Sequence, residues 1–136
     1  MIKMVRIATI AFSLFILAAC AAVPVKESGT IEIKPAGIHE ECASMHRGQW
    51  IVYAFEASER VDFNIHYHAS QKIFYPVEKP GITSDSGKYA PETEDIYCLM
   101  WTNPNKIPVS LNYRYEIHDE VKPITPEPST RPGSVY

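Results

Sequence analysis

The chain has 136 residues, with 13 Lys and Arg against 16 Asp and Glu and a formal net charge of −3. It contains no basic run of the kind that nucleic-acid-binding proteins carry, so nucleic acid is not an expected partner. Without the two end segments described below, roughly 90 residues remain, which is one domain with a core small enough to benefit from a covalent crosslink.

Residues 1–19 have the pattern of a bacterial lipoprotein signal peptide. Lys3 and Arg6 precede an apolar run that is shorter than the roughly 20 residues needed to span a membrane. The run ends in "LAAC", where small residues stand directly before Cys20. This resembles a lipobox and predicts cleavage before Cys20 and acylation of its thiol with fatty acids such as palmitate. An ordinary secretory signal with a chance cysteine is the alternative.

Acylation of Cys20 would anchor the protein to a membrane through its N-terminus. Several acyl chains hold better than one, because each buried CH₂ group contributes roughly 0.8 kcal/mol. Ala21 follows the cysteine, and no aspartate is there to resemble an inner-membrane retention signal. We therefore expect a protein of the cell envelope, anchored in the outer membrane and facing the periplasm, with residues 20–29 as a short lipidated tether.

The middle of the chain shows strand patterns in six places. "TIEIKP" alternates, "QWIVYAFEA" is apolar on both faces as in a central strand, and "RVDFNIHYH" alternates again. "KIFYPV" is expected to stop at Pro76, because proline cannot donate to a strand ladder. "DIYCLMWTN" and "PVSLNYRYEI" follow, and the latter points one set of side chains inward: Val109, Leu111, Tyr113, Tyr115 and Ile117. A period of two residues is typical of half-buried antiparallel sheet.

Turn-forming residues punctuate the gaps, and no window shows helical periodicity. The longest gap, "EKPGITSDSGKYAPETE", is predicted to be a loop, and residues 119–136 hold four prolines and are predicted to form a disordered tail. Residues 30–118 are therefore predicted to form an all-β, antiparallel, jelly-roll-like β-sandwich.

Two cysteines, Cys42 and Cys98, remain once Cys20 is acylated, and they lie in an oxidising compartment. Their pairing predicts one disulfide that closes a loop of about 57 residues and stabilises the fold by about 4 kcal/mol in the chain-entropy treatment. The alternative is a thiol ligand at Cys42, which stands between His39 and His46 in "HEECASMH". That alternative requires a free thiolate.

The segments "HEECASM", "VDFNIHYH" and "YCLMWTNPNKIPVSLNYRYEI" together resemble the GOLD (Golgi-dynamics) domain. Cys42, Cys98, Trp101 and Asn103 match that family's bridged cysteines and its aromatic-Cys-x-aromatic-x-Asn motif, and the resemblance covers residues 30–118. It implies a β-sandwich with a generic binding role. Cargo sorting is not implied, because the family's coiled coil and C-terminal membrane span have no counterpart here, and a glycine common before the late motif is replaced by Glu94 and Asp95.

A metal site is the main chemical alternative. His66 and His68 are two apart on a predicted strand, so both imidazoles project from one face and could hold Cu²⁺ or Zn²⁺, with Asp62 as a third ligand. The competing interpretation is the polar outer face of a sandwich strand.

The chain contains no G-x-S-x-G, H-E-x-x-H or phosphate-loop motif, so we expect no enzyme and no obligatory cofactor. The sequence favours a lipid-anchored envelope module that binds an unidentified protein, lipid or polysaccharide. Its aromatic side chains fit a binding surface, although Trp101 is expected in the core. The metal-handling lipoprotein, with Cu or Zn at the histidines, is the alternative function.

Overall fold

The computed structural model describes residues 25–120. The predicted signal peptide, Cys20 and nearly all of the predicted tail lie outside these residues. No helix in the described part is long and apolar enough to cross a membrane. The predicted all-β antiparallel class is confirmed, since the described chain forms these strands: β1 (Val25–Ile33), β2 (Ile38–Met45), β3 (Gln49–Ala69), β4 (Lys72–Tyr89), β5 (Asp95–Thr102) and β6 (Val109–Asp119).

The long strand β3 organises the fold. Its first part, residues 49–57, pairs with β6, and its second part, residues 62–67, pairs with β5. β4 follows β3 along its other edge, while β1 adds to β6 and β2 adds to β5. The register of β3 against β4 shifts between Glu56 and Val61, at the point where β3 passes from one set of partners to the other. One continuous sheet therefore folds into two layers.

We call β1, β6 and the adjoining parts of β3 and β4 the first layer, and β2, β5 and the adjoining parts of β3 and β4 the second layer. Aromatic contacts show that the layers face each other. Trp101 of β5 lies 5.7 Å from Phe55 of β3 and 5.2 Å from Tyr113 of β6, measured between ring centroids. The core contains the predicted inward residues of β6 and Trp101, which is 1% exposed. The core position expected for Trp101 is confirmed.

Strand boundaries differ from the sequence predictions in three places. β1 begins at Val25, inside the segment predicted as tether, because its backbone pairs with β6 without needing apolar side chains. The two patterns "QWIVYAFEA" and "RVDFNIHYH" belong to one strand, β3. β4 continues past Pro76 to Tyr89 and includes most of the predicted loop. Proline is tolerated there because, among residues 25–120, β4 pairs with β3 alone and so along one edge.

The predicted disulfide is confirmed. Cys42 and Cys98 are bonded and lie directly opposite each other on β2 and β5. Because β2 contacts the rest of the sheet through β5, the disulfide fastens an edge strand to the second layer. The thiol-ligand alternative is thereby excluded, since a disulfide sulfur offers no thiolate.

Candidate binding surface

The outer side of the second layer collects the side chains that the sequence singled out. Alternation along β3 points Asn64, His66 and His68 outward, opposite Phe63 and Ile65 in the core. His66 is opposite Cys98 on β5, and Cys98 is opposite Cys42 on β2. We call this surface the histidine face and define it by these members: Ile38, Glu40, Cys42, His66, His68, Ile73, Tyr75, Ile96 and Cys98.

His66 is buried although it lies on an outer face. The residue is 4% exposed, its Nδ1 atom lies 2.9 Å from Asn64 Oδ1, and its Nε2 atom lies 3.2 Å from Glu40 Oε1. Both partner atoms are oxygen acceptors, whereas a neutral imidazole donates from one nitrogen only. The two contacts therefore need either a doubly protonated ring or an Asn64 amide that is turned so that its NH₂ group donates to the ring. Burial lowers the pKa of His66; Glu40 opposes this shift and His68 adds to it. The contacts with Asn64 and Glu40 therefore hold the ring in place, and burial favours its neutral form.

Exposed apolar side chains lie on the same face as this buried histidine, with Ile73 opposite His68 and Ile38 further along, level with Asp62. Ile38 is 61% exposed, Ile73 47%, Tyr75 44% and Ile96 58%. Single exposed apolar residues are common on protein surfaces, whereas larger contiguous groups are typical of interaction sites. Tyr75 joins the group through its ring, whose centroid lies 5.7 Å from that of His66.

The turn at the end of the β3–β4 hairpin carries backbone strain. Ser70 and Gln71 connect paired residues Ala69 and Lys72 and both have positive φ angles, 51° and 61°. A two-residue turn of this kind normally uses Asn-Gly, because other side chains adopt this backbone conformation at a cost. The exposed segment that follows the turn includes Ile73 and Phe74, which pair with His68 and Tyr67 of β3.

The three predicted metal ligands are not brought together. The ring centroids of His66 and His68 lie 5.3 Å apart. Asp62, however, is four residues before His66 on the strand, roughly 13 Å away at 3.3 Å per residue, and its carboxylate accepts a hydrogen bond from the backbone N–H of Gly81. Glu40, which the sequence did not suggest, is the acidic group beside His66. Sequence spacing could not find it because it comes from β2.

One cluster of three metal-type side chains occurs between residues 25 and 120: Glu40, Cys42 and Cys98. Both of its sulfur atoms are in the disulfide, which leaves one carboxylate as a ligand. Of the three metal ligands that the sequence predicted, His66 and His68 lie close together on this surface and Asp62 does not. Whether the two histidines bind a metal stays a prediction.

A second polar group, which the sequence did not predict, lies between the layers. Glu41 of β2 accepts hydrogen bonds from His39 Nε2, at 3.0 Å, and from the hydroxyl of Tyr113. Burial and the Glu41 carboxylate raise the pKa of Tyr113 to about 12. This group links β2 to β6 across the sandwich and contributes to the fold.

Asn103, matched through the GOLD resemblance, has a clear structural role. Its Nδ2 group donates to the carbonyls of Ile33, Lys34 and Ile107 at 2.9–3.1 Å. Its Oδ1 atom accepts from the backbone and the side chain of Asn105 at 2.8 Å. The residue is completely buried and joins the end of β1 to the β5–β6 connection.

Comparison with known proteins supports the fold. No protein-family model matches the chain, and no curated protein matches it. The crystal structure of Aeromonas hydrophila PliG, a periplasmic lysozyme inhibitor of g-type lysozyme, is similar with a TM-score of 0.52 and 11% identity over 74% of this chain and 92% of that one. The crystal structure of Yersinia pseudotuberculosis-derived mitogen is similar with a TM-score of 0.51 and 8% identity over 74% and 90%.

These similarities place the chain in the class of small all-β proteins that includes both structures. At 8–11% identity they define the fold alone. The β-fold implied by the GOLD resemblance is confirmed, while membership of the GOLD family stays a prediction.

Proposed function

We propose that this protein is a non-catalytic binding module of the cell envelope and that its histidine face docks a protein partner. The observation that carries the proposal is the set of exposed apolar side chains that share that face with buried His66 and the disulfide. Protein interfaces combine such an apolar, aromatic centre with a polar rim. Glu40 and His68 supply polar groups beside the apolar ones.

The histidine face is also rigid, which favours binding. Its central residues lie on β3 and β5, which pair over residues 62–67 of β3, and the disulfide fixes β2 beside them. A surface that is already ordered loses little conformational entropy when a partner docks, so more of the contact energy appears as affinity.

The structural neighbours support a binding role over catalysis. PliG is a periplasmic inhibitor that acts on g-type lysozyme, which is an example of this fold acting as a binding protein in the envelope. A g-type lysozyme is therefore the first defined partner to assay with this chain. Loss of lysozyme activity on adding the protein, and recovery of activity with a variant of the histidine face, would identify that enzyme as the partner.

Membrane anchoring through an acylated Cys20 is part of the same proposal. Lipidation at Cys20 would hold the protein at the membrane, on the periplasmic side of the outer membrane. Growth with an alkyne-labelled fatty acid tests this directly. The wild-type protein should take up the label and fractionate with outer membranes, whereas Cys20→Ser should remain unlabelled; equal labelling of both would contradict the anchor.

The docking proposal is tested with two matched double variants. Ile73→Ser with Ile96→Ser changes two exposed residues of the histidine face, and Val52→Ser with Ile107→Ser changes two residues of similar exposure elsewhere. In-cell crosslinking of the wild-type protein identifies the partner, and its affinity is then measured for both variants. We expect a loss of about 30-fold or more for the face variant, as for interface hot spots, and less than about threefold for the control. Equal affinities would refute the docking face.

Metal binding is the second candidate function, favoured by the proximity of the two imidazoles and the Glu40 carboxylate. Zn²⁺ prefers three or four protein ligands, and Glu40 would be the third in place of Asp62. Titration of the purified protein with Cu²⁺ and Zn²⁺ tests it. Binding tighter than about 10 μM that is lost in His66→Ala with His68→Ala would support a site built on imidazole ligands. Weaker binding, or binding unaffected by those changes, would remove it.

A further inference from the structure

The outer side of the first layer carries a groove that the proposed docking face does not use. It has a volume of about 970 Å³ and crosses all four strands of the layer. Two rows of side chains form its floor. In one row Ser28, Arg114, Ala54 and Ser86 are successive cross-strand partners, and in the other Thr30, Asn112, Glu56 and Ser84 are.

Small side chains make the groove. Six of these eight residues are Ser, Thr, Ala or Asn, whereas the next row along the strands contains the larger Lys26, Glu116, Val52 and Lys88. Short side chains leave the surface of the curved sheet open, and longer neighbours form a wall. The groove therefore forms because the side chains in its two rows are smaller than those in the neighbouring row.

The lining is rich in hydrogen-bonding groups. Four hydroxyls, from Ser28, Thr30, Ser84 and Ser86, are joined by one amide and by the carboxylates of Glu56 and Asp85, the second of which is bonded to Tyr53 and Lys79. Ala54 contributes the main apolar side chain on this outer side. Such a surface offers donors and acceptors in several directions but little apolar area, so it fits a ligand covered with hydroxyl groups better than a fatty chain or the apolar centre of a protein interface.

Arg114 is the cation of the groove. Glu56 lies in the same groove and Glu116 in the adjacent row, but neither carboxylate forms an ion pair with Arg114 in the described part of the chain. None of the ion pairs formed within residues 25–120 includes Arg114, although Lys26 pairs with Glu116 at 3.0 Å in the adjacent row. A guanidinium group binds carboxylates in a planar, two-bonded arrangement. Its position between Ser28 and Ala54 leaves space for such a group above it.

From these features we infer that the groove binds an acidic glycan, with a carboxylate of the sugar chain on Arg114 and its hydroxyls on the surrounding serine and threonine side chains. This site is independent of the proposed docking face, because the two lie on the outer sides of different layers. It would let the protein hold a polysaccharide of the envelope and a protein partner at the same time.

Calorimetric titration of the full chain in detergent tests the inference. The ligands are an oligogalacturonate, a muramic-acid-containing peptidoglycan fragment, and the carboxyl-reduced form of the oligogalacturonate. We expect binding of at least one acidic ligand and little binding of the reduced one. Binding by the peptidoglycan fragment alone would identify the cell wall as the source of the glycan, and binding by both would show that the carboxylated sugar is sufficient.

Two variants that each remove one positive charge locate the site. Arg114→Gln should weaken binding by about tenfold or more, since hydrogen bonds to charged groups are among the stronger ones. Arg60→Gln removes the same charge at an exposed position outside the groove and should change affinity less than about twofold. Absence of binding to either acidic ligand, equal binding of the reduced ligand, or equal losses in the two variants would each overturn the inference.

Discussion

Replacement of Asn103 by alanine should strongly destabilise the fold. The side-chain amide holds three backbone carbonyls and accepts two hydrogen bonds from Asn105, all at a completely buried position. Its two amide hydrogens and two acceptor contacts correspond to about four hydrogen bonds, each contributing about 1 kcal/mol net, so Asn103→Ala should lower the free energy of unfolding by about 4 kcal/mol. That is a large share of the roughly 5–15 kcal/mol typical of a domain.

Urea denaturation with the disulfide intact measures this loss. Asn112→Ala is the matched control, because Asn112 is exposed and its amide oxygen accepts one hydrogen bond, from Thr30, at 2.5 Å. The control should lose no more than about 1 kcal/mol. Asn103→Asp, which keeps the shape but removes the donors and places a carboxyl group against carbonyl oxygens, should be at least as unstable as the alanine variant. A loss below about 1 kcal/mol for Asn103→Ala would show that the reasoning about this residue is wrong.

Three further outcomes follow from the same structure. Folding lowers the pKa of His66, so the unfolded chain takes up more protons and the free energy of unfolding should fall as the pH drops below about 6.5. His66→Gln should make the free energy of unfolding, measured by urea denaturation, depend less on pH. An unchanged pH dependence would contradict this. Burial alone would raise the pKa of Asp85, but hydrogen bonds from Lys79 and Tyr53 lower it. Asp85→Asn should therefore be less stable than wild type at neutral pH, with the gap closing as the pH falls below about 4; a pH-independent gap would exclude this cause. Loss of the disulfide, in the double change of Cys42 and Cys98 to alanine, should cost about 4 kcal/mol by urea denaturation, and a loss under about 1 kcal/mol would show that β2 is held without it.

The sequence predicted the parts of this fold where one strand face is buried. The alternation in β6 correctly separated Val109 and Leu111 from their polar neighbours, because the inner positions pack in the core and the outer ones face solvent. The disulfide was also predictable, since cysteine count and compartment left one pair. These signals depend on local pattern or on composition.

The features that the sequence did not predict depend on contacts between distant segments of the chain. The part of β4 from Glu78 onward was predicted as a loop because both of its faces are largely exposed, and its strand is set by backbone pairing with β3. His66 looked like a solvated residue because its burial comes from neighbours on other strands, such as Tyr75 of β4 and Glu40 of β2. The groove around Arg114 needs four strands in register before its residues become neighbours.

Site-specific photo-crosslinking in intact cells tests the central claim most directly. A photoreactive amino acid at Ile96 or Tyr75 reports on the histidine face, and the same amino acid at Val52 or Ile107 reports on exposed positions elsewhere. The account predicts one protein adduct that is shared by Ile96 and Tyr75 and absent from the two control positions. Adducts of equal yield from all four positions, or a specific adduct from the control positions alone, would contradict it.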